Sequence, residues 1–401
     1  MSRGIKGFQP NRLLQVLAAR RLTQVQLAAM VGVSPSTVSK WKSEEQAPEP
    51  ATLERLAEVV NVRPEWFLRS TINDFTPPLF RSNASAHVAA RDMMRARLQW
   101  GQDITVALQD FVDLPFVNIP DSRAAHPDDI SNEEIEAAAE QCRATWSLGT
   151  GPIADVLLAM ESAGIVVVRE ETGVAAIEGV STWSSEAKRP FVLLAADKGN
   201  GFRSRFDAAH ELGHLVLHRH IGRVTDPARH KAMEKQAHRF AGAFLLPAQS
   251  FGQDVSLPIT LDSLLLLKQR WGVSAAAMIM RLEALGILSS DEATTLFKRR
   301  SARWGAKAEP NDDTRLPEKP RLLKRTIELL LSSGVLTTEG IQQHLGLAAV
   351  DIESLTGLQT GALSREASVV ELTTLKRSSS EPTAREGTDR GENVIPFPAR
   401  R

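Results

Sequence analysis

Apolar positions recur at spacings of three and four along most of this chain, the period of helices with one buried face. Residues 8–68 divide into five short segments of this kind. Residues 10–20 place Leu13, Leu14 and Leu17 on one side. Thr23 stands as a cap before 24–30, and Gly32 ends that helix. Ser34 caps the next, with Pro35 at its first position. Residues 35–42 turn Val38 and Trp41 inward and Ser36, Thr37, Ser39 and Lys40 outward. Residues 51–60 and 64–67 close the set. A helix is expected over 86–100 with Ser85 as its cap. Ser131 and Glu134 form a capping box ahead of a helix to about 146, followed by a helix over 152–163. Residues 164–171 (GIVVVREE), 179–184 and 190–196 read as strands, being β-branched or apolar runs bounded by Gly or Pro. Helical spacing resumes over 206–218, and again from 234, where Ala237, Phe240, Ala241 and Phe244 share a face. It continues over 261–271, 274–285, 321–334 and 337–345. The expected fold is α+β and mostly α. A five-helix bundle comes first, then a largely helical body with a small sheet.

A chain of 401 residues is long for one core. Pro77 and Pro78 mark a first break, Pro115, Pro120 and Pro127 a second, and the polar stretch 306–320 a third. The expected units are therefore 1–70, 71–129, 130–305, 306–364 and 365–401. The last is rich in Ser, Thr, Glu, Arg and Gly and is expected to be disordered. Residues 261–285 could be a second small helix pair of the N-terminal type, but helices completing the preceding core are the better reading. Net charge is zero, yet up to Ser43 there are seven Lys or Arg and no Asp or Glu. A single cysteine, Cys142, excludes an internal disulfide. No stretch reaches the ~18 apolar residues of a membrane span, and the N-terminus has no apolar signal core. A cytoplasmic location without membrane contact is expected.

The chemistry concentrates in FDAAHELGHLVLH, residues 206–218. His210-Glu211-Leu212-Gly213-His214 is an H-E-x-x-H, and residues four apart on a helix lie on one face. Both imidazoles can reach one metal ion, with Glu211 beside them as a base toward water. Neutral imidazole suits Zn²⁺. Twenty residues after His214 comes Glu234, expected in the first turn of the next helix. An antiparallel helix pair would complete a His₂Glu zinc site from His210, His214 and Glu234. His218 is read as a packing or supporting residue rather than a ligand. His238, four after Glu234, is read as a supporting or transition-state residue; the chain has no tyrosine, so a histidine such as His238, an arginine or a backbone N–H must donate any hydrogen bond to the developing charge.

RFDAAHELGHLVLH followed by E-x-x-A-x-x-F-A-x-x-F-L-x-P resembles the ImmA/IrrE family of metallo-endopeptidases over roughly residues 130–300. That resemblance implies zinc on His210, His214 and Glu234, Glu211 as general base, and a protein substrate such as a repressor. His238 departs from it, since many members carry Asn or Asp there. LTQVQLAAMVGVSPSTVSKW resembles the Xre/Cro-type helix-turn-helix over about 8–68. It implies double-stranded DNA as a partner, with Gln24 capping a helix that faces a phosphate. Pro35, Ser36, Ser39 and Lys40 would face base edges, and Lys42 the phosphates. Such domains usually work as homodimers. The expectation is a DNA-binding regulator with a zinc endopeptidase unit, or alternatively a regulator whose zinc is structural or sensory and cleaves nothing. A strand near 179–183 is expected to hold substrate in extended form.

Overall fold

The computed structural model describes residues 4–72, 88–173, 178–197, 199–222, 226–305 and 308–364. The expected cap Ser85 and the expected disordered tail 365–401 lie outside them.

Four helices open the chain: α1 Pro10–Ala19, α2 Gln24–Val31, α3 Pro35–Lys42 and α4 Pro50–Val60. Their ends follow local chemistry. Thr23 and Gln26 form a capping box on α2, left-handed Gly32 ends it, and the Ser34 hydroxyl accepts the Thr37 N–H at the start of α3. Two details differ from expectation. The fifth segment, Pro64–Leu68, is a 3₁₀ turn. Leu14 is 43% exposed, so α1 turns Leu13, Val16 and Leu17 to the core instead.

Helix α5, Val88–Leu108, runs well past the expected end at 100. It packs on α1 and on one face of a three-stranded sheet. The strands are β1 Val166–Glu170, β2 Gly179–Ser184 and β3 Arg189–Ala195, in the order β1-β3-β2. β1 runs parallel to β3 and β2 antiparallel to it. Alternating side chains divide two cores. Val166, Val168, Val180, Phe191 and Leu193 join the N-terminal bundle and α5. Val167, Val192 and Leu194 face α6 Asn132–Thr145, α7 Val156–Ser162, α8 Gly201–Leu217 and α9 Pro227–Leu245. That second core is completed by α10 Ala248–Asp254, α11 Leu261–Trp271, α12 Ala275–Ala284 and α13 Ser290–Trp304. α7 starts four residues later than expected because Asp155 caps it.

The polar stretch after α13 is not a free connector. Glu309 is buried, accepts the N–H groups of Ala275 and Ala276, and pairs with Arg300 and Lys268. Glu318 accepts the N–H groups of Val156 and Leu157 and pairs with Arg205. Then come α14 Leu322–Ser332, α15 Thr338–Leu345 and an unexpected α16 Ala349–Thr356. These three close the first core. Asp351 of α16 accepts from Arg20 after α1 and from Arg97 of α5, both at 2.5 Å. Arg97 also pairs with Glu170 of β1. Among the described residues, no helix is long and apolar enough to cross a membrane.

Candidate metal centre and nucleic-acid face

α8 and α9 lie against each other more extensively than any other helix pair among the described residues, and Gly213 permits the approach. A Cβ at Gly213 would meet the Cα and O of Ala237 at 3.2 Å. Ala237 is one turn beyond Glu234, so this crossing carries the Glu234 carboxylate to the two histidines. Glu234 Oε2 is 3.4 Å from His210 Nε2, and Oε1 is 3.4 Å from His214 Nε2. The two Nε2 atoms are 3.1 Å apart. All three ligand-type atoms lie within 4.8 Å of one another, a set that could hold a metal ion. Because α9 starts at Pro227, capped by Asp226, Glu234 belongs to the middle of the helix and not to its first turn.

His210, Glu211 and His214 are buried. Among the described residues, neither Glu234 oxygen accepts a well-aligned hydrogen bond, nor does Glu211 Oε2. Burial opposes ionisation of Glu234, but the imidazoles of His210 and His214 outweigh it and hold the carboxyl well below its ordinary range. Burial pushes Glu211 the other way, up to about 7, against the pull of His214 and the Ser181 hydroxyl. Ser181 belongs to β2, which lies along α8. Its neighbour Gly179 faces Glu211 so closely that a Cβ there would stand 2.9 Å from Oε1. Neither Gly179 nor Ser181 was singled out as a partner of Glu211 by sequence, since the contact joins residues thirty positions apart. The His238 ring stands edge-on to His210, with centroids 4.6 Å apart, and beside Phe206. His218 is buried one turn past His214 and does not join the cluster of three.

β2 is an edge strand among the described residues. Ala195 N–H donates to Glu178 O, which makes Glu178 and Ala195 a hydrogen-bonded pair. Alternation along an antiparallel ladder then turns the N–H and C=O of Gly179, Ser181 and Trp183 away from β3.

The second candidate face is α3. Pro35, Ser36, Ser39 and Lys40 are exposed along one side, while Val38 and Trp41 are buried beneath. Thr23, not Gln24, caps α2. The Gln24 amide instead donates to Pro35 O at 2.7 Å and accepts from Lys42 Nζ at 3.3 Å. It ties the two helices together and orients Lys42, which is half-buried.

Residues 160–283 match the family model described as IrrE N-terminal-like domain, a peptidase family. Residues 13–67 match the helix-turn-helix family model. The chain thus joins a helix-turn-helix DNA-binding domain to a metallopeptidase-type domain. No curated protein matches it. The peptidase match begins inside α7, so α6, which packs on α9, stands outside it.

Proposed function

We propose that this chain is a DNA-binding transcriptional regulator whose larger part is a zinc metallo-endopeptidase acting on another protein, a repressor or antitoxin-like chain being the expected class. The observation that carries the enzymatic part is the Glu234 carboxylate. It is largely enclosed, accepts no well-aligned hydrogen bond among the described residues, and stands 3.4 Å from each of two imidazole nitrogens. Buried carboxylates normally find donors. A divalent cation among these atoms removes the deficit. Ligands about 2.0–2.1 Å from a tetrahedral zinc are roughly 3.3 Å from one another. The separations of 3.1 and 3.4 Å fit that figure. Zinc held there would polarise a peptide carbonyl and make water acidic near neutral pH.

The remaining steps belong to side chains. Glu211 takes the proton of the attacking water on its carboxylate and passes it to the leaving amine nitrogen. Ser181 and the space left by Gly179 hold that carboxylate in place. His238, against His210, is assigned the hydrogen bond to the carbonyl oxygen as charge develops. The outward backbone groups of Gly179, Ser181 and Trp183 suit an extended peptide laid along β2.

The test is cleavage of co-expressed repressor and antitoxin chains, read by mass spectrometry, with wild type and Glu211→Gln compared. The Gln variant should keep zinc and lose cleavage by about 10²–10⁴-fold. If that variant retains every cellular effect of the wild type, zinc is structural or sensory and the peptidase assignment fails. On the DNA side, the exposed polar row of α3 enters a major groove, and a homodimer would place two such rows on paired half-sites. Sedimentation with and without operator DNA checks the dimer.

A further inference from the structure

One helical turn from the candidate metal ligands, a cavity of about 280 Å³ opens between α8, α9 and α12. Phe206 precedes His210 by four residues on α8, and His238 follows Glu234 by four on α9. Both therefore stand on the metal-facing sides of their helices, and both line the cavity. His238 belongs to the two places at once. Its ring packs beside Phe206 and edge-on against His210, with centroids 5.5 and 4.6 Å away. A helical turn is about 5.4 Å long, and an extended peptide advances about 3.3 Å per residue. A substrate side chain seated in this cavity thus belongs to a residue one or two places from the bond under attack.

The walls are of two kinds. Phe206, Ala277, Met280 and Ala284 make the body apolar, and Met280 is left 47% exposed at its mouth. Gly242 keeps the floor open, because a Cβ there would meet only the Cδ of Arg281, at 3.5 Å. A void of roughly 150 Å³ already holds a benzene ring, so a leucine, methionine or phenylalanine side chain fits. The charged part of the wall is cationic. Lys235, Arg239 and Arg281 line it, and no carboxylate does. Glu136 of α6 neutralises them only in part. It accepts from both terminal nitrogens of Arg281, at 2.7 and 2.8 Å, and lies 3.0 Å from Arg239. One carboxylate serves two guanidinium groups, and exposed Lys235 makes no ion pair among the described residues.

We propose that this cavity is a specificity pocket, which takes a large apolar side chain from a substrate residue beside the scissile bond, and whose cationic rim favours acidic residues flanking that side chain. This rests on the peptidase reading above and deepens it by naming the class of sequence that is cut. Burying leucine in place of alanine should tighten binding about 10-fold or more. The rim acts through exposed charge, so its share falls as salt is added.

The experiment uses the full, zinc-loaded chain carrying Glu211→Gln, so that binding is read without cleavage. The probes are short fluorescent Gly–Ser peptides with one central Leu or Ala, flanked by Glu or by Lys, and anisotropy gives their affinities. The Leu peptide should bind about 10-fold tighter than the Ala peptide. Glu flanks should beat Lys flanks, by a margin that shrinks at high salt. Gly242→Ala sets a methyl group in the floor without a clash. It should weaken the Leu peptide several-fold while raising the melting temperature, since alanine is the better helix residue; a merely structural role would not lower one and raise the other. Ala284→Trp should fill the mouth and erase the advantage of Leu, and Lys235→Glu should reverse the flank preference, with zinc content checked in each variant. Should Ala284→Trp fail to fold, Gly242→Ala decides alone. Equal affinity for the Leu and Ala peptides, or a Leu advantage untouched by Gly242→Ala, overturns the pocket. If the preferences hold but the wild type cleaves neither these peptides nor the co-expressed chains, the peptidase reading fails and the pocket remains a peptide-binding site. Cleavage by the wild type that ignores the central residue has the opposite meaning: the enzyme stands and the pocket falls.

Discussion

Two neighbouring carboxylates that feel each other's charge meet opposite fates in this molecule. Glu234 is drawn down by two imidazoles and offers negative charge, while Glu211 is lifted by burial to about 7. Environments that push two acids apart separate a ligand from a proton carrier. Gly179 makes the second role possible. A methyl there would press on the Glu211 carboxylate at 2.9 Å and on its Cγ at 3.0 Å. The side chain is flexible enough to yield, so Gly179→Ala should leave the melting temperature nearly unchanged. The displaced base should nevertheless lower kcat on the order of 10²-fold, as misplacements of about 1 Å do. Calorimetry and turnover measured on one preparation check this, and a matching loss of stability would show that the residue matters for packing alone.

At the level of elements, the caps were the most legible feature. Thr23, Ser34 and Ser131 each close a helix by a bond to a neighbour three positions on, and three positions is a range that sequence alone reaches. The H-E-x-x-H spacing was legible for the same reason. The start of α9 was misjudged although Asp226 and Pro227 signal it, because the apolar face of that helix only begins at Met233. α16 was missed because its cap, Ala348, has no side chain that can mark a helix start. Long-range pairings such as buried Glu309 with Arg300 and Lys268 left no trace in periodicity, so a pinned stretch passed for a linker. α3 carries the prediction proper to this scale. Lys40 is exposed on the outward row, whereas Lys42 is turned toward Gln24. Lys40→Ala should weaken operator binding more than binding to random DNA, and Lys42→Ala should weaken both alike. Titrations of both DNAs at one salt concentration distinguish the two. Equal losses for Lys40→Ala would remove it from base reading.

Across the whole molecule, the N-terminal bundle, the sheet and the last helices share one charged knot. Asp351 is gripped by Arg20 and Arg97, and Arg97 by Glu170. Burial opposes ionisation of Asp351, but the two guanidinium groups win and hold its carboxyl below the ordinary range. A depressed carboxyl contributes stability above its unfolded pKa and withdraws it as pH falls. Stability should therefore decline as pH drops below about 4. Asp351→Asn should flatten that decline. At neutral pH the variant should lose about 3 kcal/mol, because it leaves the buried Arg97 and the half-buried Arg20 without their shared partner. Urea unfolding at neutral and acid pH measures both. An unchanged acid slope in the variant would place the sensitivity elsewhere.

The ligands of the candidate centre are brought together by the contact between α8 and α9, which Gly213 and Ala237 make without any ion. Stripping the cation with a chelator should then spare helical content and cooperative melting, unlike small zinc modules that collapse when emptied. The apoprotein would be a finished receptacle, and returning the ion would restore it within a mixing time, with no second round of folding. A cell that rationed its zinc could hold such a molecule in reserve and arm it without making any more of it.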